Sequence, residues 1–158
     1  MAKKFKLEAP DKKIVRGATY VRVSIFDQAR KQCTSLESQR DICGHVYGTK
    51  KELGWTETRL FTDTQGGDGL DRTGLQAMMD SIRKGEIDVV VVYKLDCLSR
   101  SIRDYCKFLE LLEKHGVQFF SATEGFDTKT PTGRLLLSLM MVFAEFEQER
   151  IAERTAEK

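Results

Sequence analysis

The chain has 158 residues, 41% hydrophobic and 32% charged, values that suit one compact domain with a core of its own. No apolar run approaches the roughly 18 residues of a membrane helix and no secretory leader opens the chain, so the cytoplasm is the expected compartment. The net charge of +2 is too small for a DNA-coating protein, and composition alone does not point to nucleic acid.

The charge is uneven. Residues 1–16 hold six basic and two acidic side chains, against 20 basic and 22 acidic in the rest, so a flexible basic leader is expected there. The four cysteines, Cys33, Cys43, Cys97 and Cys106, contain no C-x-x-C pair, and the histidines are His45 and His115. That spacing argues against structural zinc and against a disulfide framework. Cys43 and His45 read as bland surface or core residues rather than metal ligands, and free thiols fit a reducing compartment.

After the leader, the β-branched run 18–23 predicts a strand, and the polar residues 24–34 a loop at its carboxyl end. Ser35-Leu36-Glu37-Ser38 has the form of a capping box with Ser35 as cap, opening a helix that runs to about Tyr47. A second strand is expected over 58–62, followed by the glycine loop 65–69. Residues 73–84 have helical spacing through Leu75, Met78, Met79 and Ile82, with Gly85 as the stop. Residues 88–95 give the strongest strand signal, a valine run continuous enough to be covered on both faces. A helix over 101–115 should turn Ile102, Tyr105, Cys106, Leu109 and Leu112 inward, and 117–121 should form a further strand.

This alternation predicts an α/β fold: a mainly parallel sheet of four to five strands with helices on both faces. A long helix should follow from Thr132, capped by Thr130 or Thr132. Residues 135–144 are apolar nearly all round and 145–158 are dense in charge. Roughly 25 residues reach about 37 Å, more than a small domain needs for its own core. One side can pack on the sheet, leaving Leu136, Met140 and Phe143, or their neighbours, for another chain. The expected organisation is leader 1–16, catalytic domain 17–131 and helix 132–158.

In an open parallel sheet, ligands collect at the carboxyl ends of the strands. This sequence places Arg22 and Ser24 at the end of the first strand, Asp63 at the second and 94–100 at the third, with Arg72 after the glycine loop. Arg22 and Ser24 are two apart, so their side chains leave the strand on one side. A hydroxyl among guanidiniums suits phosphodiester chemistry, because guanidinium forks match the charge that develops on phosphate oxygens. Serine becomes a useful nucleophile only where its proton is accepted or its alkoxide favoured.

Six collinear strings carry a resemblance: YVRVS at 20–24, SLESQ at 35–39, LDRTGLQ at 70–76, VVYKLDCLSRS at 91–101, FDTKTPTGRLLLS at 126–138 and AEFEQERIAER at 144–154. Together they are similar to the resolvase/invertase (serine recombinase) family over roughly residues 17–158. The wide gap between Ser24 and Gln39 resembles the large serine integrase and transposase branch. The resemblance implies a site-specific DNA recombinase that cleaves and rejoins DNA through a 5′-phosphoserine. Ser24 would be the nucleophile, Arg22, Arg72 and Arg100 would grip the scissile phosphate, and Gln39 and Asp96 would order the site. Lys94, Arg150 and Arg154 are the implied DNA contacts. No metal or other cofactor is implied. The implied partners are double-stranded attachment sites and a homodimer that assembles to a tetramer, with the long helix as its dimer-forming element.

One residue departs from the family pattern. KLDRLSR is written here as Lys94-Leu95-Asp96-Cys97-Leu98-Ser99-Arg100, so Cys97 stands for a phosphate-gripping arginine. Three consequences stay open: a slow enzyme, one that recruits Arg103 or Lys94 instead, or a non-cutting relative that binds DNA or dimerises. The family's separate DNA-binding region is absent from this sequence, so a fragment of a longer protein is expected. A metal-dependent nuclease using Asp63, Asp71 and Asp96 is disfavoured by the excess of arginine over carboxylate at the strand ends. A phosphate-binding NTPase is disfavoured because the glycine loop lacks a following Gly-Lys-Ser/Thr.

Overall fold

The computed structural model describes residues 13–23, 35–64, 72–98 and 102–156, apart from the side chains of Asp96, Ala144 and Gln148. The elements in chain order are β1 (Val15–Arg22), α1 (Leu36–Thr49), β2 (Trp55–Asp63), α2 (Thr73–Arg83), β3 (Val89–Val92), α3 (Ile102–Lys114), β4 (Gln118–Ser121), β5 (Phe126–Asp127) and α4 (Pro131–Ala156). Short 3₁₀ turns occupy Lys51–Leu53 and Leu95–Cys97. The sheet runs β2-β1-β3-β4-β5, with four parallel strands and β5 antiparallel at one edge.

The valine run explains the layering. Val90 and Val92 join a core with Leu75, Met78, Ile82, Phe108, Leu109 and Leu112 from α2 and α3. Val89 and Val91 face the other way, onto Cys43, Val46 and Tyr47 of α1 and Trp55. Successive side chains alternate across a strand, so a strand covered on both faces must be apolar throughout. Gly17 of β1 lies where a Cβ would strike the Tyr47 ring, which lets α1 approach the sheet closely.

Several boundaries differ from the sequence expectation. β1 begins at Val15, inside the basic stretch, where Arg16 binds Asp88 through its backbone N–H at 2.8 Å and its Nε at 3.0 Å. β2 spans 55–63 rather than 58–62, because it pairs with the whole of β1 from Trp55 to Asp63, with Thr58 passed over at a register shift between Gly17 and Ala18. β3 stops at Val92, and its expected final residue Leu95 instead opens a 3₁₀ turn. α3 buries Phe108 completely in addition to Tyr105, Cys106, Leu109 and Leu112, while Ile102 stays half-buried. Ser35 caps α1 as expected, its hydroxyl accepting the Ser38 N–H at 3.2 Å.

The long helix is present and starts one residue early, at Pro131, with the Thr130 hydroxyl accepting the Gly133 N–H at 3.0 Å. Leu137 and Met140 pack against the core, so Met140 is not on the free face assigned to it from the sequence. Leu136 and Phe143 are exposed as expected, together with Leu135, Leu139, Val142, Phe146 and Ile151. Among the described residues, no helix is long and apolar enough to cross a membrane.

Candidate active site

Three strands and one helix start deliver polar groups to the carboxyl edge of the sheet. β1 ends at Arg22, whose backbone is bracketed by the side chain of Gln39 in the first turn of α1. Gln39 Nε2 donates to Arg22 O at 2.9 Å, and Gln39 Oε1 accepts the Arg22 N–H at 3.2 Å. The amide thus continues the bonding of β1 beyond Tyr20, the last residue that pairs with β3, and at 2% exposure Gln39 is placed by packing. On the other side of β1, the Val23 N–H donates to Asp63 O at 3.1 Å, so the backbone is held up to the position before Ser24.

Asp63 ends β2 and does a second task. Its Oδ1 accepts the Gly74 N–H at 2.8 Å, and its Oδ2 accepts the Leu75 N–H at 3.0 Å. These are orphan donors of the first turn of α2, and a carboxylate there also opposes the positive end of the helix dipole. A Cβ on Gly74 would strike the Thr62 carbonyl, so only glycine allows the helix start to seat against β2. Asp63 Oδ2 also accepts the Tyr20 hydroxyl at 2.7 Å.

Arg72 sits at the cap position of α2 with extended backbone, and its side chain turns into the protein. Nη1 donates to the Tyr20 hydroxyl at 2.9 Å and to Cys97 O at 3.0 Å, and the guanidinium lies 5.7 Å from the Tyr20 ring centroid. Arg72 is 5% exposed. Burial lowers its pKa from the ordinary arginine range, as does the positive charge of Arg22, while Tyr20 and Asp63 act in the opposite sense. Burial, followed by donation to Asp63, pushes the Tyr20 hydroxyl well above its ordinary range. The result is a relay, Arg72 to Tyr20 to Asp63 to the start of α2, that lets a guanidinium stay charged and oriented under the surface.

The 3₁₀ turn Leu95–Cys97 supplies the third part. Its Cys97 carbonyl holds Arg72, and the half-buried Cys97 Sγ lies 3.7 Å from Gln39 Oε1. Cys97 therefore stands between Gln39, which fixes Arg22, and Arg72 itself. The same turn carries the backbone of Asp96.

Of the residues singled out in the sequence, the structure brings together Arg22, Gln39, Arg72 and the turn that contains Asp96. Ser24 and Arg100 lie outside the described residues, as do the loop 24–34 and the glycine loop 65–69. Lys94 is exposed and stacks over Tyr93, its Nζ 5.4 Å from the ring centroid. Arg150 and Arg154 are exposed on the far half of α4, where Arg150 stacks over Phe146 at 5.9 Å. Asp63, a carboxylate that the metal-nuclease alternative requires, already accepts two amides and a hydroxyl. Cys43 is fully buried beneath α1, where burial pushes its thiol up to about 12, as expected of an inert core cysteine.

Tyr20 and Asp63 belong to this cluster; sequence reasoning placed Asp63 at a strand end, as a carboxylate of the disfavoured metal reading and not as a helix cap, and gave Tyr20 no role. The signal was available. Tyr20 is two residues before Arg22 on the same strand, and Asp63 is the carboxylate at the end of the neighbouring one.

Comparison with known proteins gives the family and the fold. The family described as "Resolvase, N terminal domain" matches residues 17–158. The serine recombinase gin of Escherichia phage Mu is 35% identical over 136 residues, covering 86% of this chain and 62% of that protein. The Tn917 resolvase of Enterococcus faecalis is 38% identical over 136 residues, covering 86% of this chain and 65% of its own length. The chain thus spans less than two thirds of these relatives. The crystal structure of the N-terminal catalytic domain of TP901-1 integrase superposes with a TM-score of 0.71 at 32% identity, over 85% of this chain and 97% of that one. The chain belongs to the serine recombinases, through the resolvase N-terminal domain family.

Proposed function

We propose that this chain is the catalytic domain of a site-specific DNA recombinase, in which Ser24 attacks a phosphodiester and the strand is later rejoined. The observation that carries the reading is Arg72: a guanidinium held beneath the strand edge by Tyr20 and Cys97 O, with Arg22 beside it. Preorganised cations at the place where charge develops are the main device of phosphoryl transfer, and here guanidiniums supply what a metal supplies elsewhere. Arg22, Arg72 and Arg100 grip the phosphate, while Gln39 and Asp96 order the site. Lys94, Arg150 and Arg154 contact DNA on either side.

Transesterification conserves the bond energy: the Ser24 oxygen bonds to phosphorus, a 3′-hydroxyl leaves, and reversal rejoins the strands without nucleotide or divalent ion. Residues 17–131 carry this chemistry. Residues 132–158 pair with a second copy through the exposed apolar face of α4, two dimers meet at synapsis, and the protein works in the cytoplasm.

The test is incubation of the full-length protein with the DNA that flanks its gene, scoring covalent protein–DNA adducts. Adducts that persist with chelator and vanish in Ser24→Ala are expected, with binding retained in the variant. Adducts that stop on adding chelator favour the metal-dependent mechanism. One observation favours a second reading, a non-cutting relative: Cys97 occupies the position between Gln39 and Arg72 where the family places an arginine. An inert protein, with Cys97→Arg inert as well, selects that reading.

A further inference from the structure

The turn that joins β4 to β5 lies against the exit of β3 and holds it through four hydrogen bonds. The Ala122 N–H donates to Val92 O at 2.8 Å, and the Thr123 N–H and hydroxyl donate to Tyr93 O at 3.1 and 3.0 Å. In the fourth, the Leu95 N–H donates to Glu124 Oε2 at 3.3 Å. Leu95 opens the 3₁₀ turn, so its amide is one of the donors that such a turn leaves without an internal partner. The same Glu124 oxygen accepts the Ser121 hydroxyl at 3.1 Å, and Ser121 is fully buried. A buried hydroxyl thus aims the carboxylate, and the carboxylate caps the turn.

The far end of that turn lies in the strand-edge cluster. Cys97 O receives Arg72, and Cys97 Sγ meets the Gln39 side chain that brackets Arg22. Leu95–Cys97 is therefore a short rod, fixed by Glu124 at one end and by Arg72 and Gln39 at the other.

We propose that Glu124 is a positioning residue for this site: its carboxylate sets where the turn Leu95–Cys97 sits, and through the Cys97 carbonyl it sets where Arg72 points. The hold on the turn is a property of the fold, whereas its effect on chemistry rests on the DNA-cleavage reading. Glu124 itself is exposed, so water competes for its oxygens and its removal loosens the turn without unfolding the domain.

Amide hydrogen exchange followed by NMR tests the hold on this 158-residue chain. The Cys97 and Leu98 amides donate to Lys94 O and Leu95 O, not to Glu124, so they report the turn rather than the deleted bond. In Glu124→Ala they should exchange roughly fivefold to tenfold faster, the scale of one charge-assisted hydrogen bond. Amides from Tyr105 to Leu112 should be unchanged. Glu124→Gln keeps an oxygen able to accept both donors and should stay within about twofold of wild type.

In the full-length protein, using whichever of wild type and Cys97→Arg cuts DNA, Glu124→Ala should slow adduct formation by a similar factor with DNA affinity unchanged. Unchanged exchange at Cys97 and Leu98 overturns the proposal. Faster exchange with an unchanged adduct rate also overturns it, because the turn would then move without consequence for Arg72. If neither protein forms an adduct, the cleavage reading falls, and the exchange data decide whether Glu124 holds the turn.

Discussion

The strand-edge cluster and the outer face of α4 invert the ordinary rule of burial in opposite directions. At the edge, polar groups are sunk into the protein: Gln39 at 2% and Arg72 at 5% exposure. On α4, Leu135, Val142 and Phe143 are exposed at 61, 64 and 48%. Buried charge is tolerated only where it is bonded, and the edge meets that demand with short bonds through Tyr20, Asp63 and the backbone. Exposed apolar surface on such a scale marks a place where another surface is expected. Among the described residues, the polar groups of the first region find partners within one chain, whereas the second presents apolar groups that none of them covers. Substitutions should separate them: edge variants should disturb folding and chemistry, and helix variants should disturb association alone.

The largest effect is expected at Asp63. Asp63→Ala strands two helix amides and the Tyr20 hydroxyl and removes the carboxylate that offsets the buried guanidinium, which should cost about 3 kcal/mol of stability. Denaturant titration measures it, and a loss under about 1 kcal/mol would mean that the relay is dispensable. Next is Cys97→Arg. If an arginine there regains a place in the phosphate grip, adduct formation should rise by about 10²-fold, the scale of one preorganised donor. An already fast wild type with no gain in the variant would assign that task to another cation.

The helix should behave differently. Leu139→Glu alters an exposed position, so the folding stability of the monomer should change by no more than about 0.5 kcal/mol. Sedimentation should nevertheless show weakened self-association, and an unaltered association constant would break the contrast. The smallest effect belongs to the opposite end of the sheet, where donation from Arg16 holds the Asp88 carboxyl below its ordinary range. A depressed folded-state pKa gives stability that is present above the unfolded value, about 3.9, and lost as pH falls through the lower folded one. Asp88→Asn should therefore lose a small part of the stability at neutral pH, and its flatter stability–pH profile should converge with that of wild type as pH falls below about 4.

The sequence made the layered sheet legible because its strongest signals coincide with physical necessity. Val89–Val92 is apolar on both faces since both are covered, and Leu75, Met78, Met79 and Ile82 repeat at helical spacing because one face of α2 is buried. Arg22, Gln39 and Arg72 were likewise legible, through strand-end placement and the resemblance of their surrounding motifs. Asp63 was legible as a strand-end residue but not as a helix cap, and Tyr20 and Glu124 were not legible, because each acts across elements. Asp63 caps a helix that begins ten residues later in the chain, and Glu124 caps a turn that lies 29 residues before it. Met140 was misplaced for a related reason: a stretch apolar all round gives no sign of which side meets the core, and only the seating of α4 decides it.

The most direct measurement of the central claim is mass spectrometry of the peptide that retains DNA phosphate after the full-length protein has cleaved its flanking DNA. The account predicts a single modified residue, Ser24, joined to a 5′-phosphate, with a free 3′-hydroxyl on the other strand end. A phosphate on any other side chain, or a 3′-phosphate linkage at Ser24, would contradict it.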